Sequence, residues 1–429
     1  MKLALGPAAV VTCNAAFDVI ERGVVHCKDG RITWVGAADD APPFEADEVI
    51  GGEHLVVLPG LVNVHTHAAM TLLRGYADDM ELKAWLEERI WPYERHLTPA
   101  DIETGTALAA LEMLQGGTTC VADMYFNYRG GTRVLVEAGM RAAPAAVLLG
   151  FLPEPERRLA EGIAFVREHA GSDGLVTPLL SPHSLYTCTR EQWEAVVQAA
   201  HDTGAGIHTH AAETRSEVAE VTAAWGAPPI EVLHELGATS AGLLVAHAVH
   251  TTEAERDIMA REGVRVAHNP QSNLKLASGI APVADYLARG IAVGLGPDGP
   301  ASNNNLDLWE EMRLAATLHK ATTGDPTAVT ARQALEMATI GGARCLGLEA
   351  RIGSIEVGKR ADVAVVDFDR PHLVPRHNVV SNLVYAAGAE DVVATVVDGR
   401  VLYRNGEWRT VDRERVMVEV RKVVGRLGT

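Results

Sequence analysis

Two textures alternate along the chain. Its ends carry short β-branched runs, at residues 8–13, 23–27 and 31–35 near the start and at 362–367, 391–397 and 400–403 towards the finish. Asp29-Gly30 and Asp398-Gly399 supply hairpin turns between neighbouring runs. A last charged segment, 412–427, spaces Val416, Val420, Val423 and Val424 as a helix does. Strand-rich ends around one long middle predict a small β-sandwich domain assembled from residues 1–57 and 352–429, completed by that helix.

The middle has a different rhythm. Eight short apolar runs, at 61–67, 118–124, 142–149, 175–183, 205–210, 243–247, 264–268 and 291–298, read as strands. Helical patterns at 102–115, 157–169, 190–203, 230–236, 252–262 and 283–289 fall between most of them. Eight such units over 58–351 predict a TIM-like (β/α)8 barrel, whose usual size is about 250 residues. A doubly wound sheet would need a glycine-rich phosphate loop after its first strand. Gly116-Gly117 precedes a strand and Gly130-Gly131 follows one without the GxGxxG pattern.

Composition narrows the function classes. With 38 basic against 56 acidic residues, the 429-residue chain carries a formal charge of −18. Such a surface repels a nucleic-acid backbone, so no nucleic-acid partner is expected. No apolar stretch reaches the roughly 18 residues of a membrane span. The five cysteines, Cys13, Cys27, Cys120, Cys188 and Cys345, are scattered and form no C-x-x-C pair, which suits a reducing cytoplasm. A homo-oligomer is compatible with all of this.

Polar residues gather where a barrel does its chemistry, at the C-terminal ends of the strands. Strand one closes on His65-Thr66-His67, and residues i and i+2 share a strand face. Strand five ends with His208 and His210, followed by Glu213; strand six with His247 and His250; strand seven with His268; strand eight with Asp298. Histidines and a carboxylate converging in this way predict a divalent metal site. Nitrogen and oxygen donors without thiolate suit zinc, with ferrous iron the alternative. Two-metal barrels commonly bridge their ions through a carboxylated lysine on strand four. No lysine lies between Lys83 and Lys275, so one metal per chain is expected.

Pro59-Gly60-Leu-Val-Asn-Val-His65-Thr-His67 resembles the opening motif of the amidohydrolase superfamily, and Ile352-Gly353 through Asp362 its closing β-domain signature. The segments around Trp85, Glu94, Asp123, Pro182-His183, His268–Leu276 and Gly296–Asn303 are most similar to the 5′-methylthioadenosine/S-adenosylhomocysteine deaminases. The resemblance implies His65, His67, His210 and Asp298 as metal ligands, His247 as the holder of the attacking water and Glu213 as proton shuttle. Asp298 would also take the water's proton. It further implies Trp85, Glu94, Arg158, His183, Glu213 and Ser302 as substrate contacts, while His208, His250 and His268 are read as structural or supporting.

The implied reaction is hydrolytic deamination of a small-molecule adenine nucleoside (5′-methylthioadenosine, S-adenosylhomocysteine or adenosine) to its inosine analogue and ammonia. An arginine that some members place after strand three is missing from 144–149, so an uncharged 5′ group is expected to be favoured. The rival enzyme reading is another amidohydrolase acting on a ring amine or halide, such as a guanine or cytosine deaminase or a chlorotriazine hydrolase. A barrel reduced to a scaffold is the rival outside enzymes, and the intact polar set speaks against it. The H-x-E…P-C-x-x-C pattern of polynucleotide deaminases is missing.

Overall fold

A computed structural model describes residues 1–169 and 171–428. Eight parallel strands close a barrel: Leu61–Thr66, Thr118–Tyr125, Ala145–Leu148, Leu179–Pro182, Ile207–Ala211, Leu243–His247, Arg265–His268 and Val293–Leu295, hereafter strands one to eight. Closure is direct, because strand one pairs with strand two on one side and with strand eight, Asn63 opposite Leu295, on the other. Helices surround the barrel, and the largest apolar cluster lies between the two layers, where Trp193, Trp309 and Tyr286 are fully buried. Reciprocal capping boxes start several helices, among them Thr98 with Asp101 and Thr189 with Gln192.

Three strands are no more than half the length of their apolar runs. Strand three begins only at Ala145, after an isolated pair at Arg141–Ala142, since Pro144 has no N–H to continue the ladder. Strand four starts at Leu179, with Val176 joined to Ala142 only by an isolated bridge. Strand eight stops at Leu295 because Gly296 crosses strand one closely: a Cβ there would lie 2.6 Å from the His65 carbonyl oxygen.

The strands from both chain ends join in one continuous nine-stranded sheet. Its seam is the antiparallel pairing of Leu55–Pro59 with Val363–Asp367. One buried ion pair ties this sheet to the barrel. Arg141, fully buried, holds Asp362 through two bonds of 2.8 and 3.2 Å and reaches Asp398 at 3.1 Å. The final helix, Arg413–Leu427, packs on helix Pro99–Gln115. Its Val423 enters the apolar cluster that seats Trp85, Ile90 and Tyr93. No helix among the described residues is long and apolar enough to cross a membrane.

Candidate metal centre and substrate cavity

The strand ends converge as their alternation requires. His65 Nε2 and His67 Nε2 each lie 3.2 Å from Asp298 Oδ1. One donor atom each from His65, His210, His247 and Asp298 fall within 4.8 Å of one another, and His67 joins them through Asp298. His247 and Asp298 take left-handed backbone angles, φ 71° and 59°, at the ends of strands six and eight. Such angles cost about 1–3 kcal/mol each and persist where surrounding structure enforces them.

Every imidazole in the cluster is oriented from behind. His67 Nδ1 donates to the Met124 carbonyl at 2.5 Å and His210 Nδ1 to the His183 carbonyl at 3.0 Å. His247 Nδ1 lies 2.8 Å from Asn273 Oδ1, and His65 Nδ1 3.1 Å from His208 Nε2. Each ring therefore turns its Nε2 to the centre. For His65 Nε2 to offer a lone pair, its Nδ1 must carry the proton and His208 Nε2 must accept it. His208 thus supports a ligand candidate from behind.

The donor set fits a divalent cation. His65 Nε2 and Asp298 Oδ1 are buried 3.2 Å apart with no well-formed hydrogen bond on either atom, an arrangement that a cation between them would satisfy. Burial drives the pKa of His65 down to about 4 and that of His210 well below its usual value, so both are neutral and able to ligate. Burial also acts against a proton on His67, but the Asp298 carboxylate outweighs it and lifts His67 to about 9. A cation taking that proton's place returns His67 to a neutral ligand. Asp298 Oδ2 accepts from both Ser272 and Ser302 at 2.7 Å, which leaves Oδ1 facing the centre.

A cavity open to solvent lies over this cluster. His67, His210, His247, Asp298 and Glu213 line its polar part. Glu213 is buried, which raises its pKa, and its Oε2 stands 3.7 Å from His247 Nε2. Glu94 accepts a 2.6 Å bond from the Tyr125 hydroxyl, and burial still lifts it to about 7. Burial lowers His183 to about 3, so it lines the cavity as a neutral imidazole.

One helical run supplies a whole wall. Residues 82–94 bring Leu82, Trp85, Leu86, Trp91 and Glu94 to the cavity. The turn Leu86–Ile90 is a π-helix, whose wider spacing brings residues 86, 90 and 91 round to one side. Pro92 has no N–H to bond back into this turn. Trp85 is buried and its indole N–H donates to the Ala77 carbonyl at 3.0 Å.

Two expected substrate contacts are not brought to the cavity. Arg158 sits in the first turns of helix Pro155–His169, and its guanidinium donates to the Pro153 carbonyl at 2.9 Å. Ser302 is buried and spends its hydroxyl on Asp298, so it supports a ligand candidate. The cavity wall also includes Phe126, Leu149, Tyr186 and Leu276, none of which periodicity distinguishes from ordinary core. His268 pairs with His319 at 3.2 Å, and His250 Nε2 donates to the Ser278 carbonyl at 2.6 Å.

Comparison with known proteins agrees with this geometry. The model of the Amidohydrolase family matches residues 56–402. A 5-methylthioadenosine/S-adenosylhomocysteine deaminase of Moorella thermoacetica is 49% identical over 406 residues, 94% of this chain and 95% of that protein. A 5′-deoxyadenosine deaminase of Methanosarcina acetivorans is 46% identical over 418 residues, 96% of this chain and 95% of its own. The crystal structure of an adenosine deaminase from Xanthomonas campestris with bound zinc superposes with a TM-score of 0.96 at 37% identity, covering 99% of this chain and 98% of that one. With the barrel, the histidine–aspartate cluster and these likenesses in agreement, the chain belongs to the amidohydrolase family.

Proposed function

We propose that the protein is a metal-dependent hydrolase that deaminates adenine nucleosides carrying a small, uncharged 5′ group. The observation that carries this reading is the buried cluster in which His65 Nε2 and His67 Nε2 each face Asp298 Oδ1 at 3.2 Å, beneath a cavity lined by Asp298 and a buried Glu213. Names of relatives support the substrate class: 5-methylthioadenosine/S-adenosylhomocysteine, 5′-deoxyadenosine and adenosine deaminases match 94%, 96% and 99% of the chain.

His65, His67, His210 and Asp298 would hold one divalent metal, zinc by analogy with the Xanthomonas campestris structure. In that position a divalent cation supplies Lewis acidity, which lowers the pKa of water towards about 7. Asp298 Oδ1 accepts the proton of the attacking water, and His247 hydrogen-bonds its oxygen as it adds to the amine-bearing carbon. Glu213, kept protonated more readily by burial, gives its proton to the adjacent ring nitrogen, then takes the proton of the added hydroxyl and passes it to the departing amine, which leaves as ammonia; the proton held by Asp298 restores Glu213. Glu94 accepts from the ribose hydroxyls with the oxygen that Tyr125 leaves free. Trp85 and His183 bracket the nucleoside.

The 5′ side is apolar. No arginine or lysine lines the cavity among the described residues, while Leu82, Leu86, Trp91 and Leu149 do. A methylthio or methyl group suits that wall, whereas a homocysteine carboxylate finds no cation there. The test is a spectrophotometric screen of metal-loaded protein on 5′-methylthioadenosine, 5′-deoxyadenosine, adenosine and S-adenosylhomocysteine, with Glu213→Gln as control. Conversion to inosine analogues, fastest for the first two, is expected. No conversion of any, or full activity in the Glu213→Gln variant, refutes the reading.

A further inference from the structure

The segment after strand seven carries no ligand candidate, yet three of its side chains end on the groups assigned to the chemistry. Ser272 Oγ donates to Asp298 Oδ2 at 2.7 Å, Asn273 Oδ1 meets His247 Nδ1 at 2.8 Å, and Ser278 Oγ donates to Glu213 Oε1 at 3.4 Å. All three are buried. Ser278 is the one hydrogen-bond donor to the Glu213 carboxylate among the described residues.

The backbone around Ser278 is constrained on both sides. Ala277 and Gly279 hold φ 55° and 128°, in the region side chains avoid. A Cβ on Gly279 would stand 2.9 Å from Val249 Cγ1 and 3.2 Å from the His250 ring. Ser278 N–H donates to the Asn273 carbonyl at 2.8 Å, while His250 Nε2 donates to the Ser278 carbonyl at 2.6 Å. His250 arrives on the loop after strand six, so the Ser278 peptide is gripped by its own segment and by a neighbouring one. A backbone held in such angles from two directions is over-determined.

We infer that the segment 270–279 is the positioning element of the reaction, in which Ser278 aims the Glu213 carboxylate and His250 fixes the peptide that carries Ser278. Ser278 and His250 are positioning residues that act through Glu213 and touch no substrate. Bonds of this kind are often long before substrate binds and tighten afterwards, which accommodates the 3.4 Å separation. The kinetic part of the inference rests on the deaminase reading; the positional part does not.

The experiment compares Ser278→Ala, Ser278→Thr and His250→Phe with the full-length, metal-loaded protein, using 5′-methylthioadenosine. Ser278→Ala is expected to lower kcat about tenfold, with KM and metal content unchanged, because a small misplacement of a reacting group is felt in the chemical step. Ser278→Thr, which keeps the hydroxyl, restores most of the rate, and His250→Phe falls in the same direction as Ser278→Ala. Introduced into Glu213→Gln, Ser278→Ala has no further effect on the residual rate. An unchanged kcat, or an equal loss in both backgrounds, overturns the inference. Crystal structures of wild type and Ser278→Ala give a second readout. Displacement of the Glu213 carboxylate by about 1 Å or more supports the inference, and an unmoved carboxylate overturns it. A wild type inactive on every adenine nucleoside defeats the functional reading, while the crystallographic comparison still decides the positional one.

Discussion

Removing the Ser302 hydroxyl distinguishes a support for the metal from a contact to substrate. Asp298 Oδ2 receives two bonds of 2.7 Å, from Ser272 and Ser302, in a site only 5% exposed. Ser302→Ala deletes one of them, and burial prevents water from taking its place. A hydrogen bond to a charged group is worth about 1.5–3 kcal/mol. Part of that is recovered through Ser272, so the expected loss of metal affinity is about 10–100-fold, the usual effect of removing a supporting bond from a ligand. Competition for zinc against a chromophoric chelator measures it, with KM for nucleoside recorded at saturating metal. Ser272→Ala should give a similar loss. A rise in KM with unchanged metal affinity would return Ser302 to the substrate and refute the reasoning.

Further outcomes follow from the same geometry. His67→Ala is expected to strip the metal, whereas His247→Gln keeps it and loses kcat; metal analysis of the two purified variants showing the reverse would exchange their roles. Glu94 is raised to about 7, so its carboxylate takes up a proton and stops accepting from ribose hydroxyls as pH falls through that value. kcat/KM should therefore drop on the acid side, and a Glu94→Gln variant that still shows the same limb would assign it elsewhere. Arg141→Met leaves the buried Asp362 unpaired at a cost of about 3–5 kcal/mol. Over 429 residues the unfolding entropy is about 0.9 kcal/mol per kelvin, so a two-state Tm falls by roughly 3–6 °C. Adding Asp362→Leu should recover most of it in calorimetry, and no recovery would show that the pair is not isolated.

What the sequence disclosed follows a physical divide. Histidines at i and i+2 of a strand end must share a face, so His65 and His67 were legible as a pair, and the recurrence of His210, His247 and Asp298 at other strand ends made a cluster readable before any coordinates. On the wall at 82–94 only Trp85 and Glu94 were legible, through resemblance; Leu82, Leu86 and Trp91 were not, because a π turn breaks the 3.6-residue spacing on which periodicity depends. Pro144 shortened strand three by removing one donor, which an apolar run does not register. Short hydroxyls were the hardest case: Ser302 and Ser278 differ from any surface serine only through what they touch. Arg158 rests elsewhere for a different reason, its long side chain meeting the Pro153 carbonyl of its own segment.

The last helix reaches further than its position in the chain suggests. Val423 belongs to the cluster beneath Trp85 and Ile90, with Val420 and Leu427 packed against it, and Arg426 pairs with Asp101 at the start of the helix on which it rests. The cavity wall at 82–94 is thus propped by residues more than three hundred positions away, none of which lines the cavity. Selectivity can therefore drift through changes in that helix while every residue facing the ligand stays constant. A directed-evolution library confined to the cavity would miss them.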